Sequence, residues 1–553
     1  MLRRYSLLRI IFIALIFTIP SLAAAPANEA GWELITPGIE YQEFQLSDPN
    51  NVFVARMERS NQDLTLESMI AQGKLAEGKE TVSSMFARYD QALNFWGGSA
   101  NPPTWGMRNQ AVVAINGSYY DINTGVPQGG QIESGWYAKR YDDLGGWSGF
   151  AWKLDRTALI GECLYHFPDK QRITFPATGI YQQISGINDR RGVNELVVYT
   201  PQYNSQTGTD NSGSEVLVEM TRPTLILPNP NNAIGYVRQI RVDQGNSEIP
   251  FNYIVLSASG TASQILLANV QVGSEIHVSQ EITSYDSDCI TPNNLSWTKT
   301  YSSVQGAFFF LKDGIIRDFN DPGATARNPR TAIVYNEQYI FFIVVDGRDS
   351  QHSIGMTIHQ LALFARDTLG ATSGVAQDGG GSSTMVINGK VMNNTYCNNY
   401  SCTGGFMLYM PLVSHKGPGG QATSSAGNQI INSPTAVERA VANGMLMVIA
   451  QPGEYSSTFS SGDAVTTITS TEVRLGPGTN YNSFASIPAG THGMILNQSN
   501  GLNGVLAKGI NWWYINFGNF NGWVPEGTIT HLGLDAWSQN FFEFIKLINQ
   551  SEP

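Results

Sequence analysis

The stretch from residue 340 to residue 384 decides the predicted fold. It begins IFFIVVDGR at residues 340–348 and ends GVAQDGGGSST at residues 374–384, with a segment of helical length between. The apolar run IFFIVV is typical of a buried strand, and it stops at Asp346. A second, shorter apolar run stops at Asp378, where three glycines and two serines follow. Each predicted strand therefore ends in a carboxylate.

The segment between the two runs predicts an α-helix. Thr357 and Gln360 fit the N-cap and N3 positions of a capping box, and Gly370 stands where a helix C-cap belongs. Apolar residues recur at helical spacing at Ile358, Leu361, Ala362, Ala365 and Leu369. Strand, helix and strand together predict a βαβ unit with two parallel strands.

Ligands of open parallel sheets bind outside the carboxyl ends of the strands. We therefore expect Asp346 and Asp378 to face one crevice, as the catalytic carboxylates. Arg348 is the predicted phosphate or sugar clamp because a guanidinium binds phosphate bidentately. Successive backbone N–H groups in a glycine loop form an anion nest, which assigns the amides of residues 379–382 to the same ligand.

Further polar residues are candidates for this crevice. Arg330 begins a predicted strand, and Asn116 follows the apolar strand predicted at residues 111–115. Glu438 and Arg439 are adjacent, so on a strand at most one of them faces the site. The predicted substrate-binding set is Asn116, Arg330, Arg348, Gly379, Gly380, Gly381, Ser382, Ser383 and Thr384.

Each candidate also has a structural reading that the sequence leaves open. Asp378 can cap its own glycine loop, and Asp346 can form a structural ion pair with Arg348. Asn116 fits a turn, Arg330 fits a salt bridge at a sheet edge, and Thr384 fits the cap of the next element.

Several other chemistries are disfavoured. The GGGSS segment lacks the G-x-S-x-G spacing of a serine hydrolase elbow, and the chain has no G-K-[ST] of a nucleotide P-loop. His352 and His359 lack metal-ligand spacing and are expected at the surface. No metal or cofactor is predicted, and a structural calcium ion has no loop motif to support it.

Composition narrows the class of protein. A chain of 553 residues is expected to form several domains, and 11% aromatic residues indicate globular structure. A formal charge of −12 without basic clusters gives no electrostatic footprint for nucleic acid.

Residues 1–25 predict a secretory signal peptide. Three arginines precede an apolar core of about ten residues, too short to span a bilayer easily, and the segment ends in Ala-Ala-Ala. No later segment predicts a transmembrane helix. The chain is therefore expected to be secreted, extracellular or cell-wall associated.

Four cysteines in an exported chain predict disulfides. Cys397 and Cys402 lie in one short segment, CNNYSC, and would leave Cys163 to pair with Cys289. The sequence does not choose among the three possible pairings. A zinc site is disfavoured because there is no C-x-x-C and no nearby histidine.

The chain divides into predicted regions after the signal peptide. A strand-rich region spans residues 26–105, with a helix near Val82–Phe95 that Thr81 caps. The main domain spans 106–450, and within it residues 150–300 alternate as antiparallel β. A Pro/Gly/Ser linker at 451–464 precedes a small all-β module at 465–532 and a tail at 533–553. The predicted fold class is α+β: a mixed sheet core with a βαβ unit and an antiparallel insertion, then a small barrel.

Residues from about 110 to 450 resemble the phosphodiester glycosidase family, which includes a lysosomal enzyme that removes N-acetylglucosamine from a sugar-phosphate diester. The resemblance is carried by AINGSYYDINTGVPQGGQI, by NPRTAIVYNEQYIFFIVVDGR, by the capped helix followed by DGGGSST, and by PTAVERAVANGMLMV. It implies a glycosyl hydrolase acting on a phosphodiester-linked amino sugar, with paired carboxylates as acid and base.

The last module resembles a bacterial SH3 domain, through VRLGPGTNYNSFASIPAGT and WWYINFGNFNGWVPEGTI. Such modules imply attachment to cell-wall polymer or glycan. Within this segment Trp513 and Trp523 are expected in the core rather than on a binding surface.

The predicted function is therefore an exported hydrolase of N-acetylglucosamine-1-phosphodiesters, held at the cell wall or extracellular glycan by the SH3-like module. Its predicted partners are a glycan or sugar-phosphodiester substrate and a cell-wall polymer. Two alternatives remain open: a non-catalytic glycan-binding surface protein, and a glycosidase that remodels peptidoglycan or exopolysaccharide.

Overall fold

A computed structural model describes residues 31–75, 78–94, 106–142, 147–221, 233–286, 288–306, 308–395, 437–498 and 500–533. The predicted signal peptide, the predicted Cys397–Cys402 pair and nearly all of the predicted tail lie outside these residues.

Two sheets build the centre of the molecule. The first sheet, in spatial order, contains β1 (Glu33–Thr36), β2 (Ile39–Leu46), β3 (Asn50–Glu58), β25 (Tyr339–Val345), β24 (Arg330–Tyr335), β26 (Ser373–Ala376), β22 (Phe308–Lys312) and β23 (Ile315–Ile316). The second contains β28 (Lys390–Val391), β27 (Met385–Ile387), β6 (Met107–Asn116), β29 (Asn443–Gln451) and β4 (Leu64–Ile70), with β5 (Ala92–Asn94) paired to β6.

The inserted region forms two further sheets. One contains β20 (Pro292–Asn294), β19 (Ile282–Tyr285), β10 (Ala158–His166), β9 (Ser148–Lys153), β21 (Thr300–Gln305), β7 (Gln131–Glu133) and β8 (Trp136–Lys139). The other contains β12 (Ile180–Gln183), β11 (Arg172–Phe175), β18 (Glu275–Ser279), β16 (Ala233–Arg241), β15 (Gly213–Met220), β17 (Tyr253–Ser259), β14 (Leu196–Tyr199) and β13 (Gly186–Ile187).

A fifth sheet forms the C-terminal module. It contains β32 (Ser483–Ile487), β31 (Thr471–Arg474), β36 (Asn521–Pro525), β35 (Ile510–Asn516), β33 (His492–Ile495), β30 (Ala464–Thr467) and β37 (Ile529–His531), with β34 (Val505–Ala507) paired to β35. Trp513 and Trp523 are both buried in it, as the sequence predicts.

Helices are short in the described residues. They are α1 (Val82–Tyr89), α2 (Gly260–Asn269), α3 (Pro322–Thr325) and α4 (Ile358–Leu363), which continues as a π-helical turn at Phe364–Thr368. Short 3₁₀ turns occupy Ala71–Gly73, Pro168–Lys170, Ser296–Lys299, Gly380–Ser382 and Glu526–Thr528. None of the described helices is long and apolar enough to cross a membrane.

Both predicted helix N-caps are confirmed. The Thr81 side chain accepts a hydrogen bond from the Ser84 amide at the start of α1. Thr357 and Gln360 form the complete capping box of α4. The helix predicted near Val82–Phe95 is too long, however, because the chain turns after α1 and enters the strand β5.

The predicted fold class is wrong, because the described part of the chain is mostly antiparallel β and contains no clear βαβ unit. Strands β25 and β26 are not neighbours: β24 lies between them and pairs antiparallel with both. Parallel pairing among the described strands occurs only between β13 and β14.

The apolar run of β25 led to the wrong prediction because such a run fits both a parallel and an antiparallel strand. Parallel strands read as continuous apolar runs since helices cover both faces. Here alternate residues of an antiparallel strand enter two different cores. Phe342 and Val344 pack with Val113 and Met445 of the second sheet, whereas Ile343 packs on the opposite face with Leu361 of α4.

The second sheet has the same two-sided burial. Its outer face contacts α1, through Val82, Met85 and Phe86 against Ala114 and Leu446. The central layers are therefore α1, second sheet, first sheet and α4. This sandwich brings the ends of strands from both sheets to one edge.

A disulfide links Cys163 in β10 to Cys289 after β19, with their Cα atoms 5.4 Å apart. It joins β10 to the segment that follows β19, the strand with which β10 pairs. The pairing left over by elimination from the sequence is thus the one present in the structure.

Candidate active site

The two predicted catalytic aspartates lie along one edge of the first sheet. Asp346 directly follows β25, and Asp378 follows β26 by two residues. Because both strands run antiparallel to β24, their carboxyl ends point the same way. Arg330, the first residue of β24, pairs with Val345 between them.

Asn116 joins this edge to the second sheet. Its side chain is fully buried, and its Nδ2 donates to the Asp378 carbonyl at 2.7 Å. Its Oδ1 accepts from Thr331 Oγ1 at 2.8 Å and from the Thr384 amide at 3.2 Å. These bonds make Asn116 a positioning residue that holds the Asp378 loop, rather than a group that presents itself to a sugar.

Asp346 is buried, with 5% of its surface exposed. Its Oδ1 accepts from Asn393 Nδ2 at 3.2 Å, and both carboxylate oxygens lie 3.1 Å from the Asn394 amide. Burial raises the pKa of Asp346 to about 6, assisted by the charges of Glu43 and Asp349 and opposed by the two asparagine donors. The Asp346 carboxyl therefore retains a proton to higher pH than an ordinary aspartate.

Asp378 is half-buried and borders the glycine loop. Burial raises its pKa to about 6, while hydrogen bonds from Ser382 and the Gly379 amide and the charge of Arg439 act in the opposite direction.

The glycine loop is less open than the sequence predicts. Gly380 has a φ of +65°, a conformation that favours glycine, and its amide donates to the Pro329 carbonyl at 2.9 Å. The Ser382 amide bonds weakly to the Gly379 carbonyl at 3.4 Å. Since most of these amides already have an acceptor within the protein, the loop presents few of them to an anion.

Arg330 is buried and has structural partners. Its Nε donates to the Met356 carbonyl at 2.8 Å, and its Nη2 donates to the carbonyls of Gly323 and Ala326 at 2.8 and 2.6 Å. Burial and the neighbouring Arg348 lower the pKa of Arg330 to about 10. Arg330 therefore fastens α3 to the site edge.

Arg348 is the exposed cation of this edge. The one side-chain hydrogen bond of Arg348 within the described residues joins Nη2 to Asn328 Oδ1 at 3.2 Å, and no ion pair links it to Asp346 there. A Cβ atom built on Gly380 would lie 3.1 Å from Arg348 Nη2. The guanidinium therefore lies against the glycine loop with most of its donors available.

Arg439 and Glu438 point to opposite sides, as expected for neighbours on an extended chain. Arg439 Nη1 lies 3.5 Å from Ser382 Oγ, and its charge acts on Asp378. The Glu438 carboxylate accepts from the Ser83 amide at 3.0 Å, at the start of α1. Arg439 is thus a second cation at the site, and Glu438 is a helix-terminus partner.

The hydroxyl groups after the glycine loop differ in role. Ser382 is hydrogen-bonded to Asp378, whereas Ser383 Oγ and Thr384 Oγ1 are buried and have no partner in the described structure. All three residues are at most 2% exposed. Ser382 therefore orients the carboxyl, and the next two lie behind the loop.

Two tyrosines belong to the site although the sequence analysis did not select them. The charge of Asp378 helps burial to raise the pKa of both Tyr119 and Tyr120, and Tyr120 also hydrogen-bonds Ser382. Their position directly after Asn116 and Gly117, in the same polar turn, was the available signal. Asn393 and Asn394 had no such signal, because only the fold brings them to Asp346.

The predicted histidines lie at the surface. His352 contacts Asp349 at 2.8 Å and His359 contacts Asp318 at 3.3 Å, with both rings largely exposed. Within the described ranges no group of three or more His, Cys, Asp or Glu side chains is placed to hold a metal ion. This edge carries two carboxyls with raised pKa values and the guanidinium groups of Arg348 and Arg439, a set of groups that can transfer protons and bind an anion.

Comparison with protein families gives a match over part of the chain. The family model described as phosphodiester glycosidase matches residues 232–408, about a third of the chain, which includes both aspartates and the glycine loop. Among curated proteins none matches the chain.

Solved structures give weaker likenesses. A hypothetical protein from Synechocystis has a TM-score of 0.44 and 15% identity, covering 75% of this chain and 62% of its own. A protein from Burkholderia pseudomallei K96243 has a TM-score of 0.42 and 19% identity, covering 72% and 74%. The catalytic domain of zebrafish N-acetylglucosamine-1-phosphodiester alpha-N-acetylglucosaminidase has a TM-score of 0.33 and 12% identity, covering 76% and 86%. This chain thus spans less than two thirds of the Synechocystis protein, and all three scores are too low to carry an argument.

Proposed function

We propose that this protein is an exported phosphodiester glycosidase that releases an amino sugar of the N-acetylglucosamine type from a sugar-1-phosphodiester. The observation that carries the proposal is the environment of Asp378. This half-buried carboxyl, with its pKa raised to about 6, lies beside Arg439 and the glycine loop. The loop and Asp378 fall inside the segment that matches the family model.

The proposed reaction breaks the bond between the anomeric carbon and the phosphate oxygen. The electron pair of that bond stays on the departing phosphomonoester. A water molecule attacks the anomeric carbon, its proton passes to the Asp378 carboxylate, and the sugar leaves with a free hydroxyl. Asp378 also stabilises the positive charge that develops on the sugar ring.

The two exposed or half-exposed arginines fit the anionic side of the substrate. Arg348 has guanidinium donors available, and Arg439 approaches the same serine that orients Asp378. A phosphate accepts paired donors from a guanidinium, so these cations are suited to the phosphodiester and to the leaving group. Asp346 is more deeply buried and is the second acid–base group of the proposed site.

Export and attachment are part of the proposal. The pattern of residues 1–25 favours secretion, and the disulfide between Cys163 and Cys289 suits an oxidising compartment. The resemblance of residues 465–532 to a bacterial SH3 domain favours attachment to a cell-wall polymer. Cell fractionation and sedimentation of the full chain with purified sacculi test these two points.

Activity is tested by incubating the purified protein with a synthetic methyl diester of N-acetylglucosamine-1-phosphate and measuring free sugar. We expect turnover that falls by at least about a thousandfold in Asp378→Asn, since one group supplies both proton transfer and charge stabilisation. The matched control is Asp367→Asn, which changes an exposed aspartate paired with Arg366 and is expected to retain activity.

A non-phosphorylated N-acetylglucosamine glycoside separates the alternatives. Cleavage of that glycoside with no preference for the diester would favour a remodelling glycosidase. Sugar binding without turnover of either substrate would favour a non-catalytic binding protein.

A further inference from the structure

A polar cavity lies where the C-terminal module meets the rest of the molecule. Its volume is about 130 Å³, roughly ten times the 10–15 Å³ that one buried water needs. The walls include Glu133 of β7 and Asn109 of β6 on one side, and Asn480 and Tyr481 of the C-terminal module on the other. The cavity therefore exists only while the two parts are docked.

This cavity is distinct from the candidate active site. Asn109 lies near the start of β6, and Asn116 ends the same strand. Seven residues of extended chain at about 3.3 Å each separate them by about 23 Å. A ligand in the cavity is therefore out of reach of Asp378.

Four oxygen atoms of the lining are buried and accept no hydrogen bond within the described residues: Glu133 Oε1, Asn109 Oδ1, Gln202 Oε1 and Asn480 Oδ1. Glu133 itself is 95% buried, with 5% of its surface exposed. Leaving such a buried group without a hydrogen-bond partner is unfavourable. A concentration of unpaired acceptors around one space indicates a ligand that brings hydrogen-bond donors.

The neighbouring carboxylate Glu67, in contrast, has hydrogen-bond donors within the protein. It accepts hydrogen bonds from Asn94 Nδ2, from the Tyr301 hydroxyl and, at 3.0 Å, from Ser134 Oγ. Glu67 therefore has its partners within the protein. Glu133 interacts with the Gln202 side chain, the Ile70 backbone and the charge of Arg88, and only its Oε1, which has no hydrogen-bond partner within the described residues, is left for the ligand. Burial raises the pKa of Glu133 to about 8, so near neutral pH this carboxyl can donate as well as accept.

Aromatic rings complete the lining. Trp136, Tyr89, Phe251 and Tyr481 border the cavity, and Phe251 and Tyr481 lie in contact, with ring centroids 5.5 Å apart. Gln72 and Asn482 at its border are exposed, which opens the space to solvent. Aromatic faces beside polar acceptors match a molecule that has hydroxyl groups around its edge and C–H groups on its faces.

The docking that forms the cavity is extensive. Lys508 Nζ donates to the carbonyls of Ala87 and Asp90 at 2.8 and 2.6 Å, and the Phe251 amide donates to the Leu475 carbonyl at 3.1 Å. The C-terminal module is thus held against the body at positions that flank the cavity.

We propose that this cavity binds one uncharged sugar residue of a glycan, with Glu133 as the central hydrogen-bonding group and the C-terminal module supplying part of the site. This inference does not depend on the proposed hydrolysis. It assigns glycan contact to the junction between the module and the body.

Binding of N-acetylglucosamine and of glucose to the full chain tests the proposal, by ligand-observed NMR titration together with crystals soaked in the same sugars. We expect a sugar ring against Glu133 in the soaked crystals. We expect Glu133→Gln, which keeps the side-chain volume but replaces one carboxyl oxygen by an NH₂ group, to weaken binding by at least about tenfold, the equivalent of one lost hydrogen bond. The matched control Glu337→Gln alters an exposed carboxylate and is expected to change affinity less than twofold.

Two results would overturn the inference: ordered water or a cation alone in the soaked cavity, or equal affinities for Glu133→Gln and the unchanged protein. Thermal unfolding confirms that each variant is folded, and the soak of the unchanged protein decides the question even where a variant is not. Turnover of the phosphodiester is measured separately, so loss of the proposed activity and loss of this site are distinguishable.

Discussion

At the scale of single residues, the raised pKa of Asp378 links activity to stability. Its carboxyl has a pKa of about 6 in the folded protein, against about 3.9 in an unfolded chain. The folded state therefore binds more protons than the unfolded state between about pH 4 and pH 6. Stability contributed by this residue is present below that window and is lost as the pH rises through it.

Asp378→Asn removes the cost of ionising this partly buried carboxyl. The variant should therefore be more stable than the unchanged protein at pH 7.5, by about 1–3 kcal/mol. The difference should shrink towards zero at pH 4. Urea unfolding at both pH values measures it. Asp367→Asn, at an exposed ion pair, should show no comparable gain, and a loss of stability in Asp378→Asn at pH 7.5 would contradict the assignment.

Arg348 gives a second prediction at this scale. Its guanidinium is exposed and bonds only to Asn328 within the described residues, so Arg348→Ala should leave folding intact. We expect the KM for the phosphodiester to rise about 10- to 100-fold while kcat changes less than about threefold, because binding of the anion is lost and the carboxyls remain. Arg366→Ala, which removes an exposed paired arginine, is the control. An unchanged KM would remove Arg348 from the site.

At the scale of elements, the loop after β26 depends on one left-handed residue. Gly380 has a φ of +65°, and its missing side chain leaves room for Arg348. Gly314, in the turn between β22 and β23, has a φ of +78° with no atom within 4 Å of its Cβ position. Both glycines adopt a positive φ, but only Gly380 has a side chain close to its Cβ position.

Gly380→Ala and Gly314→Ala should each lower the free energy of unfolding by about 1–2 kcal/mol, because an alanine is strained at positive φ. Only Gly380→Ala should also raise the KM, since its methyl group presses on Arg348. Urea unfolding and steady-state kinetics of both variants distinguish strain from displacement. Equal kinetic effects of the two changes would be evidence against contact between the loop and the arginine.

At the scale of the whole molecule, the disulfide closes a long loop through the inserted sheets. Cys163 and Cys289 are separated by 126 residues, so their bond restricts the unfolded chain strongly. By contrast, any bond between Cys397 and Cys402 closes a loop of about five residues.

Replacing both Cys163 and Cys289 by serine should lower the free energy of unfolding by about 3–5 kcal/mol under oxidising conditions. Replacing Cys397 and Cys402 by serine is the matched control and should cost less. Denaturant unfolding of the two double variants, with and without reductant, measures both. A smaller loss for the long loop than for the short one would contradict this ranking.

Much of the candidate site was visible in the sequence because its residues cluster in short motifs. Asp346 with Arg348, and Asp378 with its glycines, each occupy a few consecutive positions after an apolar run. Arg439 was considered there only as one of two neighbours, since a sequence does not show which of two adjacent side chains faces inward. Asn116 was assigned to the substrate because it is polar and ends an apolar strand. Its buried partners come from distant segments, which no local pattern shows.

The sequence by itself determined the strand Tyr339–Val345, the capped start of α4 and the turn at the glycine loop, because each depends on residues only a few positions apart. The tertiary structure alone decided that β24 lies between β25 and β26, because continuous apolar runs satisfy parallel and antiparallel neighbours equally. It likewise decided that Asn393 and Asn394 hold Asp346 and that the C-terminal module closes a cavity over Glu133. Those contacts join segments distant in the chain, and no local pattern encodes which distant surfaces will pack together.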